Sequence, residues 1–152
     1  MFGEMLGLWT LTEWLGQGRR KEGVVLVELG PGRGTLMADV LRTLGAFPEM
    51  RSAVEKVVLL EASKGLRETQ ARVLCGDGGL RRTEDGNGWW GKAREELGGG
   101  TVEWYEDWEL VPKGRDIPPP THKPAALNIT ANFCGILCPP FGPAITSTSY
   151  NI

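Results

Sequence analysis

Val24-Val25-Leu26-Val27-Glu28-Leu29-Gly30-Pro31-Gly32-Arg33-Gly34-Thr35 decides the fold of this 152-residue chain. Residues 24–27 form an unbroken apolar run, the pattern of a strand buried on both faces of a parallel sheet. Past Glu28, three glycines alternate at Gly30, Gly32 and Gly34. The period then changes, and Leu36, Met37, Val40, Leu41 and Leu44 share one helical face. Strand, glycine turn and helix in this order open a nucleotide-type βαβ unit. Glycine lets the backbone approach a ligand with no Cβ in the way. The helix N-terminus adds unpaired N–H donors and the positive end of a dipole of roughly half a charge.

The spacing sorts the ligand classes. A phosphate-binding Walker loop needs a Gly-Lys-Ser/Thr ending, which is absent. A dinucleotide fingerprint, GxGxxG/A, places a small third residue where Thr35 stands, which counts against a nicotinamide oxidoreductase. An acid two residues before GxGxG, here Glu28, belongs instead to the first motif of S-adenosylmethionine (SAM) methyltransferases. There the glycine backbone lies against the methionine part of the cofactor. The strand-end acid reaches its ammonium group, directly or through water. Glycine-rich βα turns also occur without any ligand, so the flanking acid, strand and helix carry the reading.

A second apolar run, Val57-Val58-Leu59-Leu60, ends in Glu61 and predicts the next parallel strand. An acid at that tip accepts hydrogen bonds from ribose hydroxyls, usually about 20 residues after the glycines. Glu61 follows Gly34 by 27 residues, and the extra segment 45–51 absorbs the difference. A carboxylate offers two acceptor oxygens to a vicinal diol; the alternative is a solvent-facing strand-end acid. Ser63 is a minor candidate beside it. Residues 101–105 predict a third strand, and Asp107 after it is in place for an adenine contact.

The remaining segments supply cover. Residues 2–15 predict a helix over the sheet, with Phe2, Met5, Leu6, Trp9 and Leu15 at helical spacings. Residues 66–74 predict another, with Leu66, Val73 and Leu74 inward and Arg67, Glu68 and Arg72 outward. The glycine-rich stretch 76–100 predicts a long surface excursion with a short helix at 92–97 and Trp89-Trp90 as a buried aromatic anchor. A formal charge of −2, from 17 basic and 19 acidic residues, argues against binding a phosphate backbone. No apolar run approaches the roughly 18–20 residues of a membrane span. Three cysteines form no framework and suit a reducing compartment.

Several blocks together resemble one family. They are Met1-Phe-Gly-Glu-Met-Leu-Gly-Leu-Trp9, Val27-Glu-Leu-Gly-Pro-Gly-Arg-Gly-Thr-Leu-Met37, Leu60-Glu-Ala-Ser63 with Leu66-Arg67 and Gln70, and Trp104-Tyr105-x-Asp107 with Val111-Pro112-Lys113-Gly114. They resemble, in the same order over about residues 1–115, the MidA-like SAM-dependent methyltransferases. The animal and fungal members are mitochondrial protein arginine methyltransferases of complex I assembly. The resemblance implies an α/β, Rossmann-like SAM-dependent methyltransferase fold, here truncated. It implies S-adenosyl-L-methionine as methyl donor and an arginine of a respiratory complex I subunit as acceptor. Mitochondrial location is implied by the resemblance alone. An imported protein is expected to carry an arginine-rich presequence, and the chain starts directly in Phe2-Gly3-Glu4. Either a presequence is missing before this point or the product stays outside the organelle.

The expected cofactor-binding residues are Glu28, Gly30, Gly32, Gly34 and Glu61. Glu4, matching the acid of the Phe-Gly-Glu block, is the candidate for positioning substrate or SAM; a solvated helix acid is the alternative. No catalytic residue is assigned, and no metal is expected. Cys134 and Cys138 have CxxxC spacing but no second pair, and His122 lies across a proline break.

The last segment departs from the family. Past Asp116 come Pro118-Pro119-Pro120, and residues 124–152 contain no charged residue. A fourth strand ending in a Glu-Phe-Phe-Asp-x-Leu-Pro-like block is expected there by resemblance, and it is missing. The division is therefore residues 1–116, the N-terminal part of a SAM-binding domain, and 117–152, an irregular tail resembling translated intron or a frame-shifted end. Three legible strands leave an unpaired sheet edge. A non-catalytic SAM-binding or partner-docking module is the rival function.

Overall fold

The computed structural model describes residues 1–112 and the backbone of Cys134–Leu137. A six-stranded mixed sheet runs in the order β3-β4-β5-β2-β1-β6. Its strands are β1 (Val24–Leu29), β2 (Val54–Leu60), β3 (Arg81–Arg82), β4 (Trp89–Lys92), β5 (Thr101–Tyr105) and β6 (Cys134–Leu137). The helices are α1 (Phe2–Gly16), α2 (Thr35–Gly45), α3 (Pro48–Ala53) and α4 (Lys64–Cys75). Strands β1, β2 and β5 are parallel neighbours and form the centre. Period-2 alternation sends their side chains to two faces. Val24, Leu26, Val57, Leu59, Val102 and Trp104 join the main core with residues of all four helices. Val25, Val27, Val58 and Tyr105 face the other way, against Val111.

The α1–α2 pair departs from the expected helix face. The buried positions of α1 are Gly3, Leu6, Gly7, Thr10 and Trp14. Phe2, Met5, Trp9 and Leu15 are exposed, so only Leu6 matches the predicted inner set. The reason is close approach. A Cβ on Gly3 would collide with the Asp39 side chain, and one on Gly7 would stand 2.7 Å from Thr43 Cβ. The two contacts advance in the same direction along both helices, so α1 runs parallel to α2 with both N-termini at one end of the molecule.

Helix α4 departs too. Arg67, expected outward, is 3% exposed, and Gln70 is fully buried. The region expected as a surface excursion extends the sheet instead. Strands β3 and β4 form an antiparallel hairpin, and β4 pairs antiparallel with β5. The helix foreseen at 92–97 is only a 3-10 turn at Glu95–Leu97. An unpaired sheet edge is expected from three legible strands; instead β4 covers β5 on one side, and on the other β6 pairs antiparallel with β1. Pro118-Pro119-Pro120, His122, Asn128 and Cys138 lie outside the described residues, as does the side chain of Cys134.

Candidate functional site

The carboxyl ends of β1, β2 and β5 converge on one rim of the sheet. Register sets a row across it: Glu28 pairs with Leu59, and Leu59 with Trp104, all on the helix-covered face. Ligands of open α/β sheets bind outside the carboxyl ends of the strands, where the chain reverses its direction of travel across the sheet. Here β2 and β5 lie on one side of β1 and β6 on the other, so that point is at β1.

Glu28 is a charged residue at the end of an otherwise apolar strand. It is 1% exposed, and its Oε2 has no hydrogen-bond partner. Burial, with nothing offsetting it, lifts the carboxyl from its ordinary 4.5 to about 7. A buried carboxylate left unpaired is costly unless an outside cation or donor completes it.

The turn after Glu28 is built from the glycines. The Gly30 N–H donates to Leu60 O at 3.0 Å, and the Gly34 N–H to Pro31 O at 2.8 Å. Gly34 caps α2 at φ 80°, and no side chain caps the helix, which leaves first-turn N–H groups available. A Cβ on Gly34 would also lie 3.2–3.3 Å from Gln70, so glycine serves both conformation and packing there. Around Gly32, in contrast, a Cβ would meet nothing within 4 Å.

Glu61 follows β2 and continues the parallel ladder, its N–H donating to Tyr105 O at 2.9 Å. Its Oε1 accepts the Ser63 N–H at 2.9 Å, and its Oε2 accepts Gln70 Nε2 at 3.2 Å. Each oxygen keeps a further lone pair, enough for a diol. Ser63 itself caps α4 through its hydroxyl. Asp107 is occupied as the cap of a 3-10 turn, accepting the Glu109 N–H at 3.1 Å.

Two residues of α4 organise this rim, and sequence reasoning had not placed them inside. Gln70 Nε2 donates to Gly32 O at 2.8 Å, and Trp104 Nε1 donates to Gln70 Oε1 at 3.0 Å. Arg67 Nη1 donates to the carbonyls of Glu61 and Ala62 at 2.8 and 2.9 Å. Its Nη2 pairs with Glu106 Oε1 at 2.9 Å, and its guanidinium stacks 4.0 Å from the Trp89 ring. The available signal was the stripe Arg67, Gln70, Leu74, spaced i, i+3, i+7. Its two polar members hid it.

Glu4 sits at the same end of the molecule, since α1 and α2 are parallel. It is exposed and pairs with the α-amino group at 3.1 Å; no hydrogen bond or ion pair joins it to the glycine turn. No group of three or more His, Cys, Asp or Glu residues suited to a metal occurs among the described residues.

An amino acid-nucleoside conjugate fits this donor set. Glu28 offers a buried acceptor for an ammonium group, α2 offers N–H donors for a carboxylate, and Glu61 offers acceptors for ribose. Comparison with known proteins agrees in kind. The family described as "Putative S-adenosyl-L-methionine-dependent methyltransferase" matches residues 5–120. Among named relatives, "Protein arginine methyltransferase NDUFAF7, mitochondrial" of Danio rerio is 35% identical over 121 residues, 77% of this chain and 27% of that protein. The Xenopus laevis protein of the same name is 39% identical over 115 residues, covering 75% and 26%. The Homo sapiens protein is 37% identical over 118 residues, covering 75% and 26%. The chain thus spans about a quarter of the length of these curated relatives.

Proposed function

Because the chain belongs to this family of S-adenosyl-L-methionine-dependent methyltransferases, we propose that its glycine turn binds SAM and serves methyl transfer to an arginine of a protein substrate. The observation that carries the reading is the orphaned, buried Glu28 oxygen, on the strand residue two before the glycine turn. Glu28 would hold the ammonium group, the turn and the start of α2 the carboxylate, and Glu61 the ribose diol. The bound cofactor supplies a methyl group carried on a sulfonium.

The chain's own task is then positioning, which dominates an in-line displacement. The tips of two paired strands would hold the amino-acid part and the ribose of the cofactor, above the buried row Glu28–Leu59–Trp104. Glu4, exposed at the same end, is proposed to engage the acceptor guanidinium by a charge-assisted hydrogen bond. The relatives' printed names support an arginine acceptor and a mitochondrial setting, and a respiratory complex I subunit is the acceptor we propose, on the family resemblance. No helix of the described residues is long and apolar enough to cross a membrane.

Calorimetry on the full chain tests the reading. Binding heat is expected with SAM and with S-adenosylhomocysteine, and none with NAD. Heat with NAD alone overturns it in favour of an oxidoreductase.

A further inference from the structure

We propose that Gln70 is a positioning residue of the cofactor cleft, holding the glycine turn and the Glu61 carboxylate in one hydrogen-bonded unit; the proposal rests on the SAM-binding reading above. The side-chain amide has two N–H donors and one acceptor oxygen. Both donors are used, on Gly32 O at 2.8 Å and Glu61 Oε2 at 3.2 Å. The oxygen accepts Trp104 Nε1–H at 3.0 Å. An indole nitrogen can only donate. It therefore fixes which end of the amide faces β5 and which faces the cleft.

Each bond has a consequence for the cleft. In a trans peptide the N–H lies opposite the C=O. Drawing Gly32 O toward Gln70 of α4 therefore points the Arg33 N–H away from α4. Holding Glu61 Oε2 while the Ser63 N–H holds Oε1 fixes the carboxylate plane. Gln70 is fully buried, so no bulk water competes for these bonds. Its Cα, Cβ and Cγ also rest against Gly34. An apolar side chain would fill the same space, but only an amide serves two acceptors and one donor together.

A double-mutant cycle on the affinity for S-adenosylhomocysteine separates positioning from packing. Q70M and E61A are each expected to weaken binding about tenfold or more, the scale of a lost hydrogen bond to a charged group. The double variant should bind clearly better than the product of the two losses, because without Gln70 the Glu61 carboxylate is no longer aimed. Q70E, which keeps the shape but sets a second carboxylate against Glu61, should weaken binding at least as much as Q70M. Unchanged affinity in a folded Q70 variant, or losses that simply multiply, would overturn the proposal. Loss of the fold in both Q70 variants, seen by circular dichroism, would also overturn it, leaving Gln70 a core residue only. A wild-type chain with no affinity for the ligand would instead refute the SAM-binding reading itself.

Discussion

A carboxyl group at the tip of a buried strand must either hold its proton or ionise without a partner, and Glu28 is in that position. Its Oε2 meets no donor, and burial raises it to about 7. Between its ordinary 4.5 and about 7 the folded state binds more protons than the unfolded one. Stability of the ligand-free chain therefore falls as pH rises through that window, and the penalty is fully present above it. A shift of this size corresponds to about 3 kcal/mol. E28Q is expected to be more stable than wild type at pH 8 and nearly equal to it at pH 4.5, by denaturant unfolding. The same substitution should weaken SAM binding, because the ammonium group loses its counter-charge. Parallel stability curves for the two proteins from pH 4.5 to 8 would contradict this account. Glu28 was legible in the sequence because an acid interrupts an apolar run. Arg67 was not, since charge alone places a helical residue outward. It is inside because two strand-end carbonyls, Glu106 and the Trp89 ring meet it there.

At the level of elements, β1, α2 and β5 could be read closely, because each carries its own local pattern. The inner face of α1 could not. That helix is apolar on nearly every side, so periodicity gave no direction, and glycine does not register as hydrophobic. Gly3 and Gly7 nevertheless choose the face by allowing α2 to come close. The same substitution should consequently act with opposite sign along one helix. G7A places a methyl 2.7 Å from Thr43 Cβ and is expected to destabilise by about 1–3 kcal/mol despite alanine's better helix propensity. G16A, with nothing within 4 Å of the new Cβ, should be neutral or stabilising by up to about 1 kcal/mol. Thermal unfolding of both variants checks the pair, and equal effects would mean that α1 does not pack through Gly7. The β3–β4 hairpin was also hidden. Its strands are two and four residues long and depend on pairing with β5, which no local pattern reports.

For the whole molecule, the order β3-β4-β5-β2-β1-β6 brings the ends of three parallel strands to one rim. Glu28, the glycine turn, Glu61 and the α4 network all gather there, although they come from separated parts of the chain. Helix α2 begins at this rim, and the loop at residues 98–100 lies at the other end of β5, before Thr101. The central claim is that the rim is where S-adenosyl-L-methionine binds. Backbone amide shifts in a ¹⁵N spectrum, recorded while S-adenosylhomocysteine is added to the full chain, test it most directly. The account predicts that the amides of Gly30, Gly32, Arg33, Gly34, Thr35 and residues 61–63 move together with one binding curve, while those of Gly98, Gly99 and Thr101 stay in place. Movement centred on residues 98–101 or on the β3–β4 hairpin, with the glycine turn unmoved, would contradict it.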